Sequence, residues 1–419
     1  MNKPYDIIVI GAGIVGISIA KALQQTGRTV TLIDRKGVAL EASKSNAGAF
    51  AFADIVPLAT PRIMRQAPKW LLDPLGPLSI PPAYALTILP WMMRFWRASW
   101  PDRYEASLQT QAQLMTFSQE ALERQVTLVN GERFMQREGQ LQLYEGLKQF
   151  NASQPVWKTR SEHGIDFQLL HCAASIAEIQ PGLDTRFTHA GYTPKWLNTC
   201  DPEQWAHHIA EHFMASGGAL KLANIEAIFE HPDYVSLATQ DGELRAKQVV
   251  VASGAWSHKL TKTLGDHIPL ETERGYNTTL PAGAFDLKTH LTFGAHGFVV
   301  TKIAGGIRVG GAVELGGLNL APLNLAPNYA RAQMLLDKAA QFLPTLNTQN
   351  GEQWMGFRPS MPDSLPVIGS ASKAPNVFYA FGHGHLGLTQ AAGTAELVTA
   401  LANGTETAIS IDAFSPNRF

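Results

Sequence analysis

Three groups of residues in this chain have the types and spacing to do chemistry. The first is a glycine loop near the amino terminus, Gly11-Ala12-Gly13-Ile14-Val15-Gly16. It reads G-x-G-x-x-G, and each glycine has a physical task. Gly11 permits a tight turn, Gly13 lets backbone approach a pyrophosphate, and Gly16 lets a helix pack closely on a strand. The start of that helix offers free N–H groups and partial positive charge to phosphate. Asp34, at the end of the next expected strand, would accept hydrogen bonds from an adenosine ribose. The motif does not discriminate between FAD and NAD.

The second group, Gly382-His383-Gly384-His385-Leu386-Gly387, repeats the pattern near the carboxyl end. No strand ending in an acid follows it, so a second nucleotide unit is not expected. A helix N-terminus set at a flavin ring fits better, because it stabilises negative charge gathering on the reduced ring. His383 and His385 read equally well as polar loop residues. The third group surrounds Arg358, between apolar and proline residues in Trp354-Met355-Gly356-Phe357-Arg358-Pro359. A guanidinium there is either a structural hydrogen-bond hub or a planar fork for a carboxylate.

The elements that must hold these groups follow from hydrophobic periodicity. Tyr5 to Ile10 reads as a buried strand, Val15 to Gln25 as a helix stopped at Gly27, and Thr29 to Ile33 as a second strand. This is a βαβ opening. Ser107 to Val126 and Arg331 to Phe342 read as helices, as does Leu388 to Leu401. Asp201 is an expected N-cap with Pro202 at the first helical position. Strands are expected at Gly139 to Tyr144, Gly191 to Trp196, Leu220 to Ile228, Tyr234 to Thr239, Gln248 to Ala252 and Val377 to Ala380. Residues 263 to 320 alternate strands and turns, as an antiparallel sheet would. Residues 57 to 104 are rich in proline and tryptophan, with Trp70, Trp91, Trp96 and Trp100.

Composition narrows the function classes. The chain has 419 residues, enough for two domains. Charged residues are 16 %, glycines number 36 and the net charge is −1. Disorder needs high net charge and few apolar groups, so it is excluded. A basic surface for nucleic acid is absent. Two cysteines, Cys172 and Cys200, make no disulfide scaffold and suit a reducing cytoplasm. No uninterrupted apolar stretch reaches the length of a transmembrane helix. Asp6 and the early glycines argue against a signal peptide.

Taken together, these residues resemble the FAD-dependent D-amino-acid dehydrogenase and glycine oxidase family, the DAO-type flavoproteins, over nearly the whole chain. Glu41-Ala42-Ser43-Lys44-Ser45-Asn46-Ala47-Gly48 resembles its second flavin-contacting stretch. Val249 to Trp256 resembles its strand and small-residue turn under the FAD. Pro269, Arg274-Gly275-Tyr276 and Ile307-Arg308-Val309-Gly310-Gly311 resemble its sheet over the substrate. Phe357-Arg358-Pro359 with Pro362-Asp363 and Pro366 to Gly369 is its most specific signature, and Gly382 to Gly387 is its flavin-pyrimidine loop. The bacterial D-amino-acid dehydrogenase branch is the most similar. One departure is Phe298, near which glycine oxidase-like members carry a substrate tyrosine.

The resemblance implies an α/β fold, α+β overall. A Rossmann-like FAD-binding domain over 1–56, 199–262 and 350–419 would join a discontinuous antiparallel-sheet substrate domain over 57–198 and 263–349. It implies noncovalent FAD, since no cysteine lies in the arginine segment. Implied FAD contacts are Gly11, Gly13, Ile14, Val15, Gly16, Asp34, Arg35, Ser43, Ser45, Asn46, Ala47, Gly48, Ile225, Ala252, Ser253, Gly254, Trp256 and Gly382 through Thr389. Arg358 would hold the substrate carboxylate, with Tyr276, Arg274 and His383 as further contacts. No side-chain catalyst and no metal is implied, because hydride would pass from the substrate Cα to flavin N5. The implied activity is oxidative deamination of D-amino acids, neutral or proline-like, with electrons leaving to a quinone or other carrier. A glycine/sarcosine-type oxidase using oxygen is the runner-up. An aromatic hydroxylase would carry a late Gly-Asp-Ala segment that is absent here. A non-catalytic FAD-binding or tRNA-modifying protein is opposed by the intact arginine segment. The implied location is the cytoplasm, and Trp91, Met92, Met93, Phe95 and Trp96 form core, a lid, or a peripheral contact on the inner face of the membrane.

Overall fold

The computed structural model describes residues 4–61, 63, 78–316 and 326–419. Trp70, part of the expected aromatic segment, lies outside the described residues. Two large sheets carry the fold. The first opens as the sequence predicts: strand Tyr5–Ile10, helix Ile14–Gln25, strand Val30–Asp34. Strand Tyr5–Ile10 is buried over its last four residues and sits between Val30–Asp34 and Gly242–Val251, parallel to both. A strand covered on both faces needs an apolar run rather than an alternation, and Ile7 to Ile10 provide it. Strand Ala374–Phe381 adds in parallel, with Val249 to Val251 opposite Val377 to Tyr379.

The expected strand Leu220 to Ile228 is two strands. Ala219–Leu222 runs parallel to Val30–Asp34, and Ile225–Glu230 runs antiparallel to Val235–Thr239. The break falls where Leu222 has reached Asp34, the end of its partner. The Ala223 N–H then donates to the Asp34 carbonyl at 2.9 Å.

The second sheet runs Glu352–Ser360, Glu271–Pro281, Gly306–Leu315, Phe298–Ile303, His290–Phe293, Gln140–Glu145, Phe187–Thr193 and Gln168–Leu170. Along this run the neighbours are antiparallel except for His290–Phe293 beside Gln140–Glu145, and the short strand Leu78–Ser79 adds in parallel to Gly306–Leu315 off the run. Helix Ala330–Phe342 covers one face and shares a core with Leu280, Phe293, Phe298 and Val309. Two segments cross the expected division of the chain. Glu352–Ser360 pairs into this second sheet, and helix Pro101–Leu128 packs with the first core against helix Gly387–Asn403. The helices meet where a Cβ at Gly393 would lie 2.3 Å from the Ser118 hydroxyl oxygen. The Asp201 cap is as expected: its carboxylate accepts from the Glu203 and Gln204 N–H groups.

Candidate functional site: a long cavity between the two sheets

A cavity of about 930 Å³ runs from the first glycine loop to Arg358. At its near end, Gly11 has a φ of +110°, and a Cβ there would lie 2.4 Å from the Ala252 carbonyl oxygen. A Cβ at Gly16 would lie 1.9 Å from the Gly11 carbonyl oxygen. These glycines let strand, helix and the turn after Val251 close on one another. Gly13 caps the helix without a side-chain hydrogen bond. The Ser43 hydroxyl accepts from the Ile14 N–H at 2.9 Å. Asp34 accepts from Ala12 N–H with one oxygen at 2.8 Å and from Lys36 and Gly37 with the other. The first oxygen keeps capacity for a further donor. Arg35 stacks 3.9 Å from the centroid of Trp256 and pairs with Glu41 at 2.6 Å.

At the far end, helix Gly387–Asn403 also starts without a side-chain cap. The Gly384 N–H donates to the Pro359 carbonyl at 2.7 Å, tying the second glycine loop to strand Glu352–Ser360. The His383 ring is buried, 3.0 Å from the Thr394 hydroxyl, and burial pushes its pKa down to about 3. It is neutral. The His385 side chain is exposed and borders the cavity. Desolvation lowers its pKa; the Asp54 and Glu273 carboxylates oppose that and Arg358 adds to it.

Arg358 and Glu273 face each other in register on adjacent strands. The Arg358 guanidinium lies across Gly275: a Cβ there would sit 2.3 Å from Nη2. Nη1 donates to the Ala312 carbonyl at 3.0 Å. Burial lowers the arginine's pKa and the Glu273 charge raises it; an arginine stays cationic throughout.

The cavity is bordered by Gly11, Gly13, Ile14, Val15, Asp34, Arg35, Ser43, Ser45, Asn46, Ala47, Ile225, Ala252, Ser253, Gly254, Trp256, Tyr276, Arg358, His383, Gly384, His385, Gly387 and Leu388. Six expected residues do not border it. Gly16 is used in packing. Gly48, at a φ of +68°, makes room for the Thr199 carbonyl, and Gly382 for Met361. Leu386 is core, and the Thr389 hydroxyl accepts from the Ala51 N–H at 3.0 Å. Arg274 points away from the cavity, because strand alternation gives that face to Glu273, Gly275 and Asn277. It pairs with Glu314 at 3.8 Å. Tyr276 borders the cavity, but its hydroxyl is turned from it, donating to Glu314 at 2.5 Å. Burial, and then that bond, push its pKa up to about 12.

The residues fit a flavin dinucleotide. Two helix N-termini face one cavity, neither capped by its own N-cap side chain, the close approach at Gly11 and Gly13 leaves backbone open, and Asp34 has acceptor capacity to spare. No cluster of metal-ligating side chains exists among the described residues. The model of the DAO family, FAD dependent oxidoreductase, matches residues 6–401. The chain belongs to this family.

The oxidoreductase is 32 % identical to a D-amino-acid oxidase of Bradyrhizobium diazoefficiens, covering 100 % of both chains. It is 30 % identical to a D-amino acid dehydrogenase of Allorhizobium ampelinum, covering 96 % of each. Its fold matches a glycine oxidase from Geobacillus kaustophilus with a TM-score of 0.78 at 20 % identity, over 100 % of both chains. FAD is thus its cofactor.

Sequence reasoning assigned no individual site role to several residues that border the oxidoreductase's cavity. Asp54 is held by Arg160 at 2.8 Å. Arg308 donates to the Thr279 hydroxyl at 3.0 Å and to the Asn46 carbonyl, and burial pushes its pKa down to about 10. His290 is buried beside Trp196, with its pKa pushed down to about 3. Glu273 is the fourth. A two-residue alternation through Glu273, Gly275 and Asn277 was the available signal for it.

Proposed function

We propose that the protein oxidises D-amino acids with neutral or cyclic side chains. The observation that carries this reading is the Arg358 guanidinium, laid over Gly275 at the cavity's inner end beside the second glycine loop. Its outward N–H groups suit the two oxygens of an α-carboxylate. Val299 and Trp354 border the same cavity, on the face of Asn277, and favour apolar side chains. A bound FAD would supply the acceptor for a hydride equivalent from the substrate's Cα. The chain's part is to hold the carboxylate at Arg358, exclude water, and present the start of helix Gly387–Asn403 to developing negative charge. An acyclic imino acid product hydrolyses in water to a keto acid and ammonia, whereas a proline-like substrate leaves a cyclic imine that keeps its nitrogen.

On this reading the elements of the first sheet hold FAD through Gly11 to Ile14, Asp34, Ser43 and Ala252 to Gly254. The second sheet carries the substrate. The names of the relatives support the D-configuration. Anaerobic bleaching of the flavin by a panel of D-amino acids, glycine and sarcosine tests it. Bleaching by D-amino acids is expected; a chain bleached only by glycine and sarcosine would overturn it.

The electron acceptor on this reading is a quinone, reached at a membrane surface. Helix Ala85–Ala98 buries Ile88 and Trp91 against Leu315. Leu86, Leu89, Met93, Trp96 and, just beyond it, Trp100 follow a 3–4 spacing and are exposed, Leu86 by 86 %. Such a stripe, with Arg94 and Arg103 nearby, suits an anionic bilayer interface. No helix among the described residues is long and apolar enough to cross a membrane. Flotation with anionic liposomes is expected, and protein left wholly in the aqueous fraction would count against it. Reaction with oxygen to give peroxide would instead favour oxygen as the acceptor, which the name of the Bradyrhizobium relative, a D-amino-acid oxidase, supports.

A further inference from the structure

Glu273 is an expensive residue to keep where it stands. It is only 6 % exposed, and it borders the cavity. A buried carboxylate is normally paired or hydrogen-bonded. Glu273 has neither an ion pair within 4 Å nor a hydrogen bond among the described residues. Its register partner is Arg358, the nearest candidate for a salt bridge. Arg358 does not take that role. Its guanidinium is drawn over Gly275 and anchored on the Ala312 carbonyl at 3.0 Å. The two opposite charges therefore stand side by side, both open to one cavity, and neither quenches the other.

Directly opposed residues on antiparallel strands have their Cα atoms roughly 4.5–5.5 Å apart. The carboxylate and ammonium of an α-amino acid are two bonds apart through Cα. An arginine and a carboxylate presented on adjacent strands are a complementary pair for that zwitterion. We propose that Glu273 binds the substrate's α-ammonium group and accepts one of its protons, leaving the neutral amine that oxidation at Cα requires. The proton balance is simple: the N–H bond of the ammonium breaks, an O–H bond forms on Glu273, and the amine keeps the electron pair. This rests on the amino-acid reading above and adds the group that recognises nitrogen.

The surroundings suit the role. Arg358 faces Glu273 from strand Glu352–Ser360, His385 from the second glycine loop, and Asp54 borders the same cavity with its charge held by Arg160. On the strand's other side, Glu314 and Arg274 pair with each other, away from the cavity. Glu271, on the same strand, accepts from the Tyr84 hydroxyl. None of these occupies Glu273.

The test compares E273Q and E273D with the wild type, using D-alanine and D-proline beside their amine-less counterparts propionate and cyclopentanecarboxylate. All variants are first checked for flavin content. In E273Q, kcat/KM for the amino acids at pH 7 should fall about 10- to 100-fold, the worth of one hydrogen bond to a charged group. Binding of the two amine-less acids, read from the flavin spectrum, should not weaken. The rising limb of the kcat/KM profile should move to higher pH, toward the free amine's own titration. E273D, which keeps the charge on a shorter arm, should recover part of the activity and the original limb. Unchanged amino-acid kinetics in E273Q would overturn the proposal. So would equal changes for both ligand classes, the mark of a mere counter-charge to Arg358. If no amino acid bleaches even the wild-type flavin, the underlying reading has failed instead. Should E273Q not retain flavin, E273D decides: an unmoved limb with unchanged kcat/KM would sink the idea.

Discussion

The two glycine loops share a sequence pattern and differ in what their glycines are for. In the first loop, Gly11 and Gly16 press directly on each other and on Ala252. Three backbones meet there with no room for a single methyl group. In the second loop, a Cβ at Gly387 would meet nothing closer than His383 at 3.7 Å. Gly382 and Gly384 take φ angles of +83° and +55°, and Gly382 also makes room for the end of the Met361 side chain. The first loop is thus a packing device that happens to expose amides. The second is a bent strand exit that aims a helix start into the cavity. The same six-letter pattern can be demanded by sterics in one place and by backbone direction in another.

This contrast can be broken or sharpened by substitution. The largest expected effect is Gly16→Ala, whose methyl would lie 1.9 Å from the Gly11 carbonyl. Purified protein should lack flavin or fail to fold, read from flavin absorbance per protein; a full flavin complement would refute the packing account. Next is Arg358→Met. FAD should stay bound, and kcat/KM for a D-amino acid should drop by about 100-fold as a charge-assisted contact is lost. Unchanged kinetics would remove Arg358 from the site.

A smaller effect concerns pH. His383 is held neutral, with a pKa near 3 against an ordinary value of 6.5. Between those values the unfolded chain binds a proton that the folded chain does not. Stability is therefore full above pH 6.5 and falls as pH drops, by up to about 1.4 kcal/mol per pH unit. His383→Gln should flatten the loss between pH 7 and pH 5 in urea denaturation; an identical slope would contradict it. The smallest effect is Gly387→Ala. No protein atom blocks its methyl, so its Tm should hold or rise, as for a glycine replaced where space allows. A clear fall in Tm here would erase the difference between the loops.

Much of this was legible in the sequence because it is local. The βαβ opening, the Asp201 cap and the helix after Gly387 depend on residues within a few positions of one another. The cavity's near end follows from them. The far end was less legible because strand pairing builds it. Glu273 meets Arg358 only through the pairing of Glu271–Pro281 with Glu352–Ser360. Arg274 was expected at the substrate because Arg274-Gly275-Tyr276 resembles the family's sheet over the substrate. Alternation turns it to Glu314 instead, and resemblance of a stretch does not say which of its residues face the cavity. Asp54 gains its place from Arg160, a residue on a distant helix.

The parallel pairing of Val249–Val251 with Val377–Tyr379 has a consequence for biosynthesis. A chain leaves the ribosome amino terminus first, so its Gly11–Gly16 loop emerges long before residues 374–388. Until those residues arrive, the cavity lacks the wall made by Phe381, His383 and Leu388. Completion of the flavin site is then a late event, and an intact site certifies that the chain has been made and folded through Leu388.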